Sequence, residues 1–346
     1  MNNSDFDPNG VGIANGNFFG FPNSIANAQI ILFPIPWDVT TSYEGGTSKG
    51  PSTILEASIQ LDFFDYDVPN AWKFSHATHP TDLEFAHKNE KARSIAEEVI
   101  LALEQGKEAH HPEIIAQTAT VNAACEWLKA EVKATCKSYL KEGKLIGLVG
   151  GDHSTPLGYL EALAENYESF GILQIDAHAD LRHAYEGFTY SHASIMYNAL
   201  QIPQISKLVQ VGVRDICPEE VAFAKADVRI QQFDDFGLKH NLFCGRSWKK
   251  QCETIVAALP QLVYISFDID GLSPELCPNT GTPVPGGLSF HEASFLLKTV
   301  MESGRKIIGF DLNEVRPGDD EWDANVGARI LYKLRNLMAA SQFLIS

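Results

Sequence analysis

Residues 172–180 read Ile-Leu-Gln-Ile-Asp-Ala-His-Ala-Asp. Asp176, His178 and Asp180 hold every second position, and alternate residues of an extended backbone point the same way. Two carboxylates and an imidazole are thus aimed at one point beyond a short apolar strand. Residues of the same kind follow other short apolar runs. His153 lies in Gly-Gly-Asp-His-Ser after the run 145–149, Asp268 and Asp270 close the run 262–267, and Glu314 follows the run 306–312. Taken singly, a His after Gly-Gly-Asp is more often a turn residue, and Asp-x-Asp can cap a turn. Taken together, the four aspartates would crowd one half-buried edge, where each unpaired buried carboxylate costs several kcal/mol. Two divalent cations would balance them. An oxygen-rich set with two imidazoles favours Mn2+, with Fe, Co, Ni or Zn as alternatives.

Such residues need a scaffold that delivers them to one edge. Strands are expected at 29–33, 145–149, 171–175, 207–213, 228–232, 262–267 and 306–312. Helices are expected at 51–64, 91–105, 112–141, 156–167, 193–200, 248–258, 289–301 and 323–340, from apolar spacings of three and four and from prolines at helix starts. Residues 66–90 read as polar and irregular, and 271–287 as a Gly/Pro loop. Strands alternating with helices imply an α/β fold with a mainly parallel sheet covered on both faces. In such a sheet the carboxyl ends of the strands share an edge, and ligands bind there. One domain is expected over 28–346, with 1–27, rich in Asn, Gly and Phe, as an irregular arm.

The 346 residues are 45% hydrophobic and 21% charged, which is enough apolar material for a large core. A formal net charge of −17 works against nucleic acid or an anionic membrane as partner and suits a cationic small molecule. The six cysteines include no C-x-x-C pair, the N-terminal stretch has no signal-peptide pattern, and no run approaches a membrane span of about 20 apolar residues. The expected location is the cytoplasm.

Three motifs, Gly150-Gly-Asp-His-Ser154, Asp176-Ala-His-Ala-Asp180 and Ser266-Phe-Asp-Ile-Asp-Gly-Leu-Ser-Pro274, resemble the signatures of the ureohydrolases, the family of arginase and agmatinase. The resemblance runs from about residue 29 to the C-terminus and implies a three-layer α/β/α fold. It implies one metal held by His153, Asp176, Asp180 and Asp268, and a second held by Asp176, His178, Asp268 and Asp270, with Asp176 and Asp268 bridging. Two such cations lower the pKa of bound water, so that it can attack a guanidinium carbon near neutral pH. It also implies His192 as the proton shuttle, Glu314 as the carboxylate that binds the guanidinium, and Asp152 as a group orienting a ligand. Thr282 is a candidate for substrate contact. Assembly as a homo-oligomer, a trimer or a hexamer, is a further implication.

The implied reaction releases urea from a small cationic guanidino substrate, in the agmatinase manner, with two divalent ions, Mn2+ favoured over Ni2+. The segment after Asp180 lacks the Ser/Asn-rich pattern with which arginases hold the substrate's amino and carboxylate groups. Guanidine, which a pocket crowded by Trp37, Tyr43 and Trp322 would suit, is the first alternative. A guanidino acid is another, met by Arg316, although pairing of Arg316 with Asp319 or Asp320 is the plainer expectation. A formimidoylglutamase-type hydrolase and an inactive structural relative remain as alternatives. The loops at 37–46, 182–192 and 315–323 are expected to ring the site and choose the substrate.

Overall fold

In the computed structural model, which describes residues 6–43 and 45–343, eight short stretches pair into one parallel sheet. They are β1 Ile30–Pro34, β2 His76–Thr78, β3 Leu145–Val149, β4 Phe170–Ile175, β5 Ile205–Val211, β6 Ile230–Phe233, β7 Leu262–Asp268 and β8 Lys306–Asn313. Their order across the sheet is β2-β1-β3-β8-β7-β4-β5-β6. The helices are α1 Gly50–Ser58, α2 Leu83–Glu104, α3 Pro112–Lys141, α4 Leu157–Ala164, α5 Ile195–Ala199, α6 Pro218–Ala226, α7 Asp235–Phe243, α8 Trp248–Ala257, α9 Phe290–Glu302 and α10 Trp322–Gln342.

The period of two along the strands divides the core. Leu173, Ile175, Val209, Val211, Ile265 and Phe267 face a cluster built with α1, α8, α9 and α10. Ile31, Phe33, Ile172, Leu208 and Tyr264 face a second, built with α2, α3, α4 and α5. Both faces are buried, so the strands read as continuous apolar runs. The result is the three-layer α/β/α arrangement expected from the motifs.

Several elements differ from the sequence reading. The stretch 66–90 contains β2 and about the first two turns of α2, which begins at Leu83 where the Asp82 side chain accepts a hydrogen bond from the Glu84 amide. Helix α1 stops at Ser58 instead of continuing to 64. Helices α6 and α7 were not expected. Each starts on a cap that outweighs weak apolar periodicity: Cys217 with Glu220 for α6, and the Asp234 side chain for α7. In the N-terminal stretch Phe18, Phe19 and Phe21 are fully buried against this chain's own domain. Phe19 meets Tyr332 of α10 at 5.1 Å between ring centres, and Phe21 meets Phe63 at 5.4 Å.

Candidate metal centre and active-site cleft

The carboxyl edge of the sheet gathers the motif residues. Asp152 and His153 follow β3, Asp176 to Asp180 follow β4, Asp268 ends β7 and Asp270 lies in the single turn after it, and Glu314 follows β8. The two glycines before Asp152 permit the approach. A Cβ on Gly150 would lie 1.8 Å from Asn313 Oδ1, and one on Gly151 would lie 1.9 Å from the Trp37 carbonyl oxygen. With hydrogen alone at these positions, the Asp152 amide donates to that carbonyl at 2.7 Å. Asp180 and Glu314 adopt positive φ values of 53° and 63°. Non-glycine residues rarely take this conformation, and such strain gathers at functional sites.

His153 Nδ1 lies 3.1 Å from Asp176 Oδ2, 3.1 Å from Asp180 Oδ2 and 3.2 Å from Asp268 Oδ2. His178 Nδ1 lies 3.0 Å from Asp270 Oδ2 and 3.6 Å from Asp176 Oδ1. Two metal-type clusters result, His153/Asp176/Asp268 and Asp176/His178/Asp270, and they share Asp176. Asp268 falls in the first cluster only, and its Oδ1 accepts from the Asp270 amide at 2.9 Å.

A divalent cation fits this set. Ser266 Oγ donates to Asp311 Oδ1 at 3.0 Å and lies 2.8 Å from His153 Nε2. Ser266 has one proton and gives it to Asp311, so His153 Nε2 must carry the hydrogen. The lone pair of Nδ1 then faces three carboxylates, and Nδ1, though buried, makes no hydrogen bond. A bound cation would satisfy nitrogen and carboxylates together. With protons as the only available cations, the cluster competes for them. Burial and the Asp176 charge push Asp180 up to about 7, and burial with the Asp270 and Asp176 charges pushes Asp268 well above the carboxylate range. Burial opposes ionisation of Asp176 too, but His153 and His178 outweigh it and hold Asp176 low. Burial likewise opposes charging of the two imidazoles, yet the surrounding aspartates raise both well above the usual histidine value.

Beside the cluster, His192 Nδ1 lies 3.4 Å from Glu314 Oε1 and its Nε2 lies 3.3 Å from Ser42 Oγ. Burial disfavours the imidazolium, but Glu314, Asp152 and Asp180 more than compensate and raise the His192 pKa. Glu314 Oε1 also accepts the His153 amide at 2.9 Å. Asp152 is fully buried; desolvation and the Glu314 charge push it up to about 6. Its Oδ2 accepts from Thr40 Oγ1 at 3.2 Å, and Thr40 Oγ1 in turn accepts the His192 amide at 3.1 Å. Asp152 therefore orients the loop under His192.

These groups open into a cleft of about 240 Å³ lined by His178, Asp180, Arg182, Tyr185, His192 and Thr282, together with Ser42, Asp215, Cys217 and Glu220. The loops 37–46 and 182–192 contribute lining residues, whereas 315–323 contributes none, its place being taken by 215–220 and Thr282. The expected crowding by aromatics is not observed. Trp37 is fully buried, Tyr43 is exposed, and Trp322 Nε1 donates to the Glu275 carbonyl at the surface. Glu44 lies outside the described residues. Arg316 stacks over Gly46, its Nε 3.1 Å from where a Cβ would stand, so it shapes loop 37–46.

Sequence reasoning assigned no function to the segment 66–142, yet α2 holds the loop that carries Thr40 and Ser42. Asn89 pairs with Asp38 through both amide atoms, at 2.7 and 2.9 Å, and Arg93 Nη1 donates to Thr41 Oγ1 at 2.7 Å and to the Thr41 carbonyl. The available signal was Asn89 and Arg93 at a spacing of four on one face of a helix.

A parallel sheet whose carboxyl edge carries two imidazoles and four carboxylates around a cleft is an arrangement that a metal-dependent hydrolase can use. The chain belongs to the arginase family: the sequence model of that family matches residues 28–335. This family depends on a binuclear metal centre, and the chain is a ureohydrolase, acting on guanidino compounds. It is 32% identical over 297 residues to the N(1)-aminopropylagmatine ureohydrolase of Thermococcus kodakarensis, with 83% of each chain covered. It is 29% identical over 300 residues to the agmatinase of Pyrococcus horikoshii, covering 84% of this chain and 85% of the other. The agmatine ureohydrolase of Thermoplasma volcanium has the same fold, with a TM-score of 0.69, 21% identity, and 97% and 96% of the two chains covered.

Proposed function

We propose that the chain hydrolyses the guanidino C–N bond of agmatine or a closely related guanidino amine, giving urea and, from agmatine, putrescine. The observation that supports this most is the cleft itself. It joins His192 and the metal cluster to a wall bearing Asp215 and Glu220, and the arginine there, Arg182, lies 3.9 Å from Glu220 and 4.6 Å over the Tyr185 ring. A substrate tail ending in an ammonium suits this wall. A tail carboxylate would meet net negative charge. The names of the relatives, aminopropylagmatine ureohydrolase and agmatinase, point the same way. A cleft of about 240 Å³ is larger than free guanidine requires.

His153, Asp176, Asp180 and Asp268 would hold one ion and Asp176, His178 and Asp270 the other, with Mn2+ favoured by the oxygen-rich set and Ni2+ the alternative. When bound, the pair supplies an activated water and stabilises negative charge as it develops. Glu314, buried beside His192, offers the guanidinium a carboxylate partner. His192, whose pKa is raised by Glu314 against the opposing effect of burial, donates a proton to the departing amine nitrogen. Asp152 and Thr40 hold its backbone so that the ring stays over the cleft. The cytoplasm, with its reducing conditions, suits the six free cysteines, and no described helix is long and apolar enough to cross a membrane. A homo-oligomer, trimeric or hexameric, is the proposed assembly.

The test is urea release by purified protein loaded with Mn2+ or Ni2+, offered agmatine, arginine, guanidinobutyrate, guanidinopropionate and guanidine. Preference for agmatine supports the proposal. Preference for arginine, a guanidino acid or guanidine, or formamide formation in place of urea from a formimino compound, overturns it.

A further inference from the structure

Three adjacent strands on one side of the sheet, β4, β5 and the edge strand β6, each carry a glutamine at the same level. Gln174 of β4 pairs in register with Gln210 of β5, and Gln210 with Gln232 of β6. Gln174 and Gln210 are fully buried, and Gln232 is partly buried. Primary amides in such a place cost free energy unless every polar atom has a use. Here they form a directed file. Gln232 Nε2 donates to Gln210 Oε1 at 2.8 Å, Gln210 Nε2 donates to Gln174 Oε1 at 2.6 Å, and Gln174 Nε2 donates to Asp176 Oδ2 at 2.7 Å. Gln210 Nε2 also donates to the Ala179 carbonyl at 2.7 Å.

The direction of the file is dictated at its inner end. An ionised carboxylate can only accept, so Gln174 must present its NH2 group to Asp176 and its carbonyl to Gln210. Gln210 must then turn its NH2 group inward, which the Ala179 carbonyl also requires, and leave its own carbonyl for Gln232. The oxygen that receives this hydrogen bond, Asp176 Oδ2, is the one 3.1 Å from His153 Nδ1. The other, Oδ1, accepts the His178 amide at 2.6 Å. Asp176 is the residue common to the two metal-type clusters.

We propose that Gln174, held by Gln210 and Gln232, is a positioning residue that fixes the plane of the Asp176 carboxylate, while Gln210 fixes the 176–180 turn through Ala179. The file sets how tightly this chain binds its metals. The inference rests on Asp176 being a metal ligand. A carboxylate shared between two clusters must direct one oxygen to each, and a donor on one oxygen selects that rotation.

The test uses the full-length protein stripped by chelator and titrated with Mn2+ alone, followed calorimetrically, with thermal unfolding of the metal-free form measured alongside. Gln174→Met keeps length and removes the donor. It is expected to weaken Mn2+ binding about 10- to 100-fold. With metal saturating, KM for the guanidino substrate should stay near native. Gln232→Met, remote from the ligands, should weaken binding in the same direction by a smaller factor. Native affinity in Gln174→Met overturns the proposal. So does a loss in that variant fully matched by a fall in metal-free stability and accompanied by native affinity in Gln232→Met. If Gln174→Met does not fold, Gln232→Met decides: weaker Mn2+ binding supports the file and native affinity overturns it. Asp176→Asn is the control. Native Mn2+ affinity in that variant would defeat the ligand assignment and not the file as such.

Discussion

Arg93 never touches the cleft, yet its removal should slow catalysis. Its side chain is only 12% exposed. It donates to Thr41 Oγ1 and to the Thr41 carbonyl, with longer contacts to the Asp38 and Val39 carbonyls at 3.3 and 3.4 Å. Thr40 and Ser42 flank Thr41 and contact His192 through its backbone amide and its ring. Hydrogen bonds from a charged donor contribute roughly 1.5–3 kcal/mol each. Truncation to alanine admits water to the freed oxygens, and the Asn89–Asp38 pair still holds one end of the loop. A net loss of about 2 kcal/mol of loop order is therefore expected, about a 30-fold change in the ordered population at 1.4 kcal/mol per factor of ten. In Arg93→Ala, kcat/KM for urea release should fall 10- to 30-fold. Metal content should match native, since no ligand contacts Arg93. Activity within twofold of native would refute the claim that α2 holds the His192 loop. Loss of bound metal would show that Arg93 acts by another route.

Two other outcomes follow from the same contacts. With the ring in its proposed role as proton donor, His192→Asn should lower kcat by about 10²–10⁴-fold while leaving metal content unchanged; kcat within a few-fold of native would remove that role. His76 is fully buried, donates from Nε2 to the Phe18 carbonyl, and is held well below the usual histidine pKa by burial and by the Arg335 charge. It stays neutral in the folded chain while the unfolded chain takes up a proton below about pH 6.5. Folding stability is thus unaffected above that pH and falls by about 1.4 kcal/mol per unit below it, until the folded-state value is reached. The slope of unfolding free energy between pH 6.5 and lower pH should flatten in His76→Gln, and an unchanged slope would exclude His76 as a source of acid sensitivity.

The residues that gather at the sheet edge could be read from the chain because each follows a strand in an unmistakable local pattern. Asp176, His178 and Asp180 alternate, and the edge of a parallel sheet brings such strand ends together without further information. What surrounds the ligands was harder to read, for physical reasons. Asn89 and Arg93 act on a loop about 50 residues away in sequence, and no local pattern marks such a long-range hydrogen bond. Trp37, Tyr43 and Trp322 were expected in the cleft because aromatics often line small-molecule sites. Burial of Trp37 beside Trp127 and the surface bond of Trp322 decide otherwise. Helices α6 and α7 escaped notice because their stability comes from caps and tertiary packing more than from an apolar stripe. The glutamines of β4, β5 and β6 were visible as polar interruptions in apolar strands, but strand order, which sequence does not supply, is what makes them neighbours.

The central claim is that one edge of this sheet holds two divalent ions and uses them on a guanidino carbon. Elemental analysis of chelator-stripped protein reconstituted with Mn2+, paired with urea release from the same samples, tests it most directly. The expected result is two ions per chain in the native protein, with urea release that rises as the ions are restored and is lost in both Asp176→Asn and Asp268→Asn. Undiminished urea release by the stripped protein, or by either variant in metal-free buffer, would contradict it.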